Sequence, residues 1–228
     1  MHKAKIFLND LFGKLRLRPI ITALRSLKIL ELDYGHFLSS LKWNACDNSY
    51  RPIPWFTYAA TEYIKQMDFS QKSIFEYGSG NSTLFWAKRA KLLMSVENDE
   101  KWFKYVSRKL VRNKRAKVLL AQTKRSYVNA INVAGEKIDV IVIDGEYRDD
   151  CAKQAVKKIN RGGFIILDNS DWFPETAKYL RQQNLIEIDM SGFGPINHYI
   201  STTSFFLRRD FYLRAKKEIQ PVKPIGGI

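Results

Sequence analysis

The apolar positions of this chain follow two periods, and the change from one to the other divides it near residue 69. In the first part they recur at helical spacing: Phe7, Leu8, Leu11, Phe12 and Leu15, then Ile20, Ile21, Leu24 and Leu27, with Lys3, Lys5, Lys14, Arg16, Arg18, Arg25 and Lys28 between them. This spacing predicts two short amphipathic helices interrupted at Pro19, whose ring does not fit a helix interior. Residues 43–54 read as irregular, because Asn44, Asp47, Asn48, Ser49, Pro52 and Pro54 supply turn chemistry. A helix over 55–67 follows. Beyond Ser70, short β-rich runs at 73–77, 92–97, 117–121, 138–143, 163–167, 185–189 and 203–208 read as strands. Helical stretches at 82–90, 99–112, 149–159 and 174–183 separate most of them. The run Ile138–Ile143 is the most continuous and predicts a strand buried on both faces.

Strands alternating with helices indicate a doubly wound α/β fold with a mostly parallel sheet. The last two strands have no helix between them. Their connection, 190–202, contains Gly192, Gly194 and Pro195 and reads as a loop, so these strands are expected to pair antiparallel. The expected organisation is an N-terminal helical extension over 1–69 and a main domain over 70–228.

With 228 residues, 45% of them hydrophobic, the chain can bury a substantial core. No apolar run approaches the roughly 20 residues that cross a bilayer, and no secretory signal is expected at the N-terminus. Cys46 and Cys151 are the only cysteines and match no metal spacing, which points to reduced thiols in a cytoplasmic protein. A net charge of +15 favours polyanions or anionic surfaces as partners. The basic N-terminal helices suit peripheral attachment at the inner membrane surface. Packing on the sheet, or against a second subunit in a homodimer, is the commoner fate of such helices.

In an open α/β sheet, ligands bind beyond the carboxyl ends of the strands. Glu76, Glu97, Asp144 and Asp168 end or follow four successive strands of an otherwise basic protein. After the first strand, Gly78 and Gly80 permit a tight turn close to a ligand, and Asn81 or Ser82 is placed to cap the next helix. A dinucleotide loop would carry glycine or alanine where Thr83 stands and would not begin with an acid. A carboxylate there suits a cationic ligand. Glu97, about twenty residues downstream, stands where a carboxylate accepts from ribose hydroxyls. Asp99 directly precedes a helix and is the better cap.

Four segments carry a family resemblance: 75–82 (FEYGSGNS), 95–99 (SVEND), 141–145 (IVIDG) and 162–169 (GGFIILDN). In order and spacing they resemble the successive motifs of class I S-adenosylmethionine (SAM)-dependent methyltransferases, over residues 70–208. The resemblance implies a seven-stranded sheet ending in an antiparallel hairpin, with SAM as cofactor. It implies that Glu76, Gly78 and Gly80, with Asn81 and Ser82, border the methionine moiety. Glu97 would hold the ribose, Gln122 the adenine, and Asp144 would lie between cofactor and acceptor. Asp144, Asp168 and Asn169 are also similar to the magnesium ligands of catechol-type O-methyltransferases; Gly145-Glu146-Tyr147-Arg148 departs from that pattern.

Without a metal, His198 or Asp144 would serve as base. Tyr147 and Arg148 are candidates for binding an anionic or sugar-like acceptor, and Trp172 for an aromatic wall. O-methylation of a small-molecule or saccharide hydroxyl is the expectation. An RNA methyltransferase using the positive field, and a non-catalytic adaptor keeping the fold, are the alternatives.

Overall fold

A computed structural model describes residues 17–135 and 137–227. The expected helix over 7–15 lies outside them. Helix α1 (Arg18–Lys28) carries Pro19 in its first turn, where the missing N–H breaks no helical bond. None of its residues is buried: Ile20, Leu24 and Leu27 stay exposed, so α1 does not cap the sheet. A π-helical turn, Ile29–Asp33, leads into a short helix, α2 (His36–Lys42). Helix α3 (Tyr58–Gln66) follows, with Thr57 Oγ1 accepting from the Ala60 amide.

The sheet then builds through β1 (Ser73–Tyr77), α4 (Asn81–Ala87), β2 (Leu92–Glu97), α5 (Glu100–Leu110) and β3 (Ala116–Leu120). It continues with α6 (Lys124–Asn129), β4 (Ile138–Ile143), α7 (Arg148–Lys158), β5 (Ile159–Leu167), α8 (Pro174–Arg181), β6 (Ile186–Phe193) and β7 (Ile200–Leu207). Its order is β3-β2-β1-β4-β5-β7-β6. Strands β1 to β5 pair in parallel, and β7 runs antiparallel to both β5 and β6. This is the expected doubly wound sheet with a reversed last strand.

Successive residues of the central strands serve opposite faces. Phe75, Tyr77, Ile141, Ile143 and Ile165 pack with α7 and α8 through Cys151, Ala155, Ala177 and Leu180. Ile74, Val140, Val142, Phe164 and Ile166 pack with α3, α4 and α5 through Ile64, Phe85 and Val106. Strand β4 is therefore buried on both sides, as the apolar run Val140–Ile143 predicts. Phe56, Ala60, Ile64 and Phe69 belong to this second core, so packing continues across residue 69 without a break. The C-terminal segment returns to α3: Lys216 N–H donates to Gln66 O at 2.9 Å and Ile225 N–H to Glu62 Oε1 at 3.1 Å.

Two expectations are corrected. The loop over 190–202 shrinks to 194–199, because Met190–Phe193 continue β6 in register with Ile200–Thr203 of β7. Backbone pairing along this hairpin outweighs the turn propensity of Gly192. Strand β5 begins at Ile159 rather than 163, with a register shift opposite Ile138/Val140. In 122–137, where periodicity is weak, Thr123 caps α6 and Tyr127 anchors it in the core. Among the described residues no helix is long and apolar enough to cross a membrane, and both cysteines are buried and free.

Phe205 joins β7 to this core, with its ring 5.5 Å from Tyr63 and 5.7 Å from Phe164. Phe205→Ala is expected to cost about 3–5 kcal/mol of unfolding free energy, measured by denaturant titration.

Candidate active site

The turns that follow β1 and β4 meet backbone to backbone. Gly78 has φ +97°, and a Cβ there would lie 2.9 Å from the Asp144 carbonyl oxygen. A Cβ on Gly145 would lie 2.8 Å from the Gly78 nitrogen and collide with the Tyr127 hydroxyl. Glycine is required on both sides, since a side chain would drive the turns apart.

Glu76 braces this turn from below. Its side chain is fully buried, and Oε2 accepts from Thr83 Oγ1 at 2.5 Å and from Ser95 Oγ at 2.8 Å. Thr83 Oγ1 in turn accepts from the Gly80 amide at 2.9 Å. Helix α4 is thus capped by its own third residue, and not by Asn81 or Ser82 as expected. Asn81 lies within the helix and donates to Ala45 O at 2.5 Å. Glu76 Oε1 is buried without a partner. Burial raises the Glu76 pKa to about 7, against the lowering effect of its hydroxyl donors.

Glu97 closes β2 with its carboxylate turned to the glycine turn: Oε2 accepts from Ser79 Oγ at 2.7 Å. Oε1 accepts from the amides of Asn98 and Asp99 at 2.9 and 3.0 Å. Asp99 caps α5, as expected, by accepting from Trp102 N–H at 2.6 Å. That cap places the Trp102 indole over the turn, where Nε1 donates to Ser79 O at 2.6 Å.

A cavity of about 420 Å³ opens beside this turn at the carboxyl ends of β1, β4 and β5. Its floor is Ser79, Gly80, Asn81 and Ser82, together with Asp144, Asp168 and Asn169. Its rim includes Trp43, Trp55, Trp102, Trp172 and Tyr199. Burial raises the Asp168 pKa, and the neighbouring Asp144 charge raises it further. Desolvation likewise raises that of Asp144, opposed by the Arg148 guanidinium.

The candidates from the sequence divide. Gly80, Asn81, Ser82, Asp144, Asp168, Asn169 and Trp172 converge on the cavity, while Gly78 and Glu76 lie outside the lining and hold the turn that supplies it. Glu97 reaches it through Ser79. Gln122 is exposed and does not line it. Tyr147 packs on Tyr127, with ring centroids 5.8 Å apart, outside the lining. His198 is exposed on the 194–199 loop with its ring edge against Tyr199, also outside the lining. Arg148 lies beneath Asp144 and Asn169.

Sequence reasoning missed Trp43, Trp55, Ser79, Trp102, Asn197 and Tyr199. Of five tryptophans, only Trp86 is fully buried, and the other four rim this cavity. Asn197 holds the rim down: its Oδ1 accepts from Trp55 Nε1 at 3.0 Å, and its carbonyl lies 2.9 Å from His36 Nε2.

Strand order, the reversed β7 and the glycine turn with its acidic strand ends define the fold of class I SAM-dependent methyltransferases. Solved structures with this architecture share little sequence with the chain. The precorrin-6y C5,15-methyltransferase from Geobacter metallireducens GS-15 aligns at a TM-score of 0.54 and 9% identity, over 74% of this chain and 96% of that one. The O-methyltransferase from Bacillus cereus, solved with SAH, gives 0.53 and 18% over 60% and 74%. The Methanococcus jannaschii fibrillarin pre-rRNA processing protein gives 0.52 and 15% over 68% and 76%. No protein-family model and no curated protein matches the chain.

The Glu76 proton links this site to stability. Its folded pKa, about 7, lies above the ordinary 4.5, so the native state holds the proton more tightly than the unfolded chain. Its contribution is full below about pH 4.5 and is lost as the pH rises to about 7. The wild type should lose about 3 kcal/mol over this window relative to Glu76→Gln, read from urea titrations across the pH range. Gly145→Ala should force the two turns apart, lowering the melting temperature by several degrees and abolishing ligand binding in the cavity, as scanning calorimetry would show.

Proposed function

We propose that this chain is a SAM-dependent methyltransferase that methylates a hydroxyl oxygen of a small molecule or saccharide. The observation that supports it most is the cavity itself, whose lining brings Ser79 and Gly80 of the glycine turn together with Asp144 and Asp168. SAM brings an activated methyl group on a cationic sulfonium. The donor set suits it: acidic groups attract the sulfonium and ammonium charges, and the glycine turn admits the chain of the amino acid. Glu97 presents to the same turn a carboxylate whose Oε2 now holds only the Ser79 hydroxyl, a bond that a ribose hydroxyl would replace.

The chain's own contribution is positioning, exclusion of water and movement of one proton. Asp144 lines the cavity and its carboxyl pKa is raised, which suits a base working near neutral pH. With Oδ1 facing Arg148 at 3.4 Å, Oδ2 is left to take the acceptor's proton as its oxygen takes the methyl group. His198 would have to swing from the exposed side of its loop to do the same. The aromatic rim supports a ring-shaped acceptor whose C–H faces lie on indole. Stacked nucleobases would fit such a rim too, and with the net charge of +15 this keeps RNA as the second reading.

Titration calorimetry of the full chain with SAM should show binding, and Glu97→Ala should weaken it about 10- to 100-fold through loss of charge-assisted hydrogen bonds. Heat indistinguishable from dilution would refute the enzyme assignment. With labelled SAM and a panel of saccharides, Trp172→Ala should raise the acceptor KM about tenfold while leaving SAM affinity unchanged. Transfer to RNA alone, with affinity falling steeply in salt, would favour the second reading instead.

A further inference from the structure

The residues that resemble a magnesium site do not assemble one here, because an arginine of the same chain already lies against two of them, Asp144 and Asn169. Arg148 is the first residue of α7, its side chain 10% exposed and its guanidinium carbon 4.5 Å over the Phe173 ring. Nη2 points at Asp144 Oδ1 and Asn169 Oδ1, both at 3.4 Å. Nη1 donates to the Asp168 carbonyl and lies 3.4 Å from Asn169 Oδ1, while Nε donates to Gly145 O at 3.0 Å. The third expected ligand is engaged elsewhere: Asp168 Oδ1 accepts from Thr203 Oγ1 at 2.6 Å, and the residue is only 2% exposed. Magnesium requires oxygens at about 2.0–2.1 Å in a near-octahedral shell, with waters completing it. No such shell can form around a point that a guanidinium nitrogen occupies, since the two cations would repel one another across the same acceptors. Among the described residues no group of three or more acidic, histidine or cysteine side chains could hold a metal either.

The placement of Arg148 is costly in itself. A cation on the first residue of a helix opposes the helix dipole, and here Asp149 and Asp150 follow in the first turn to offset it. That cost is met because the guanidinium has five donors in a fixed fork, enough to tie the turn after β4 to the turn after β5.

We propose that Arg148 is a built-in cation standing where a divalent metal would stand, so that the site works without metal and Arg148 acts as the positioning residue for Asp144 and Asn169. Arg148 holds Oδ1 of Asp144, a residue of the cavity lining, and does not engage Oδ2. Where a bound metal would orient an acceptor by ligation, the guanidinium orients the chain's own carboxylate and amide. The role given to Asp144 rests on the proposed methyl transfer; the exclusion of metal does not.

The test uses Mn2+, whose spin-resonance signal broadens on binding and whose preference for oxygen ligands follows that of magnesium. Titrated with Mn2+ at millimolar concentration, the EDTA-treated full chain should leave the free-ion signal undiminished. Arg148→Ala and Arg148→Met, checked for an unchanged circular dichroism spectrum and cooperative melting, should each gain a bound ion that the added change Asp144→Asn removes. A bound ion in the wild type that Asp144→Asn or Asn169→Ala abolishes would overturn the proposal. So would folded Arg148 variants that still bind none, since the acceptors would then not form a cation site at all. SAM calorimetry on the wild type separates the two ideas: a wild-type chain that excludes Mn2+ and also binds no SAM would strike the methyltransferase reading and leave this one standing.

Discussion

At Gly78 and Gly145 the turns leaving two adjacent parallel strands pass so closely that a single methyl group on either would meet the backbone of the other. Everything at the carboxyl edge of the sheet takes its position from that contact. It sets Asp144 beside the glycine turn and points the start of α4 into the cavity. Opening α7 directly afterwards puts Arg148 under the strand ends. Glu76 fixes the same turn from below, bonded to one hydroxyl of α4 and one of β2. A carboxylate so deeply buried weakens the fold as it ionises, so the chain holds this geometry at some expense of stability near neutral pH.

The fold was legible because it rests on periodicity. Ile138–Ile143 could only be a strand buried on both faces, and the missing helix before the last strand announced the antiparallel reversal. What escaped was set by tertiary contacts. Met190–Phe193 reads as loop by composition, yet its backbone finds a partner strand across the hairpin. Helix α6 carries no strong pattern of its own and depends on Tyr127 entering the core.

The floor of the candidate site was legible for the same reason: each acidic residue and glycine stands immediately after a strand, and the α/β architecture places strand ends together. The rim was not. Trp43 and Trp55 both fall between α2 and α3, the helix expected from residue 55 starting only at Tyr58, and no local rule fixes the path between them; Trp102 reaches the cavity only because the Asp99 cap turns α5 toward Ser79. Arg148 could be read as a candidate substrate contact from sequence alone. Only the geometry shows its guanidinium between Asp144 and Asn169.

A crystal structure of the full chain soaked with S-adenosylhomocysteine would show whether the strand ends form an adenosyl pocket. The ribose hydroxyls should lie on Glu97, with the Ser79 hydroxyl displaced from Oε2 and the sulfur facing Asp144. A nucleoside bound elsewhere, or a cavity left empty with the Ser79–Glu97 bond intact at saturating ligand, would contradict it.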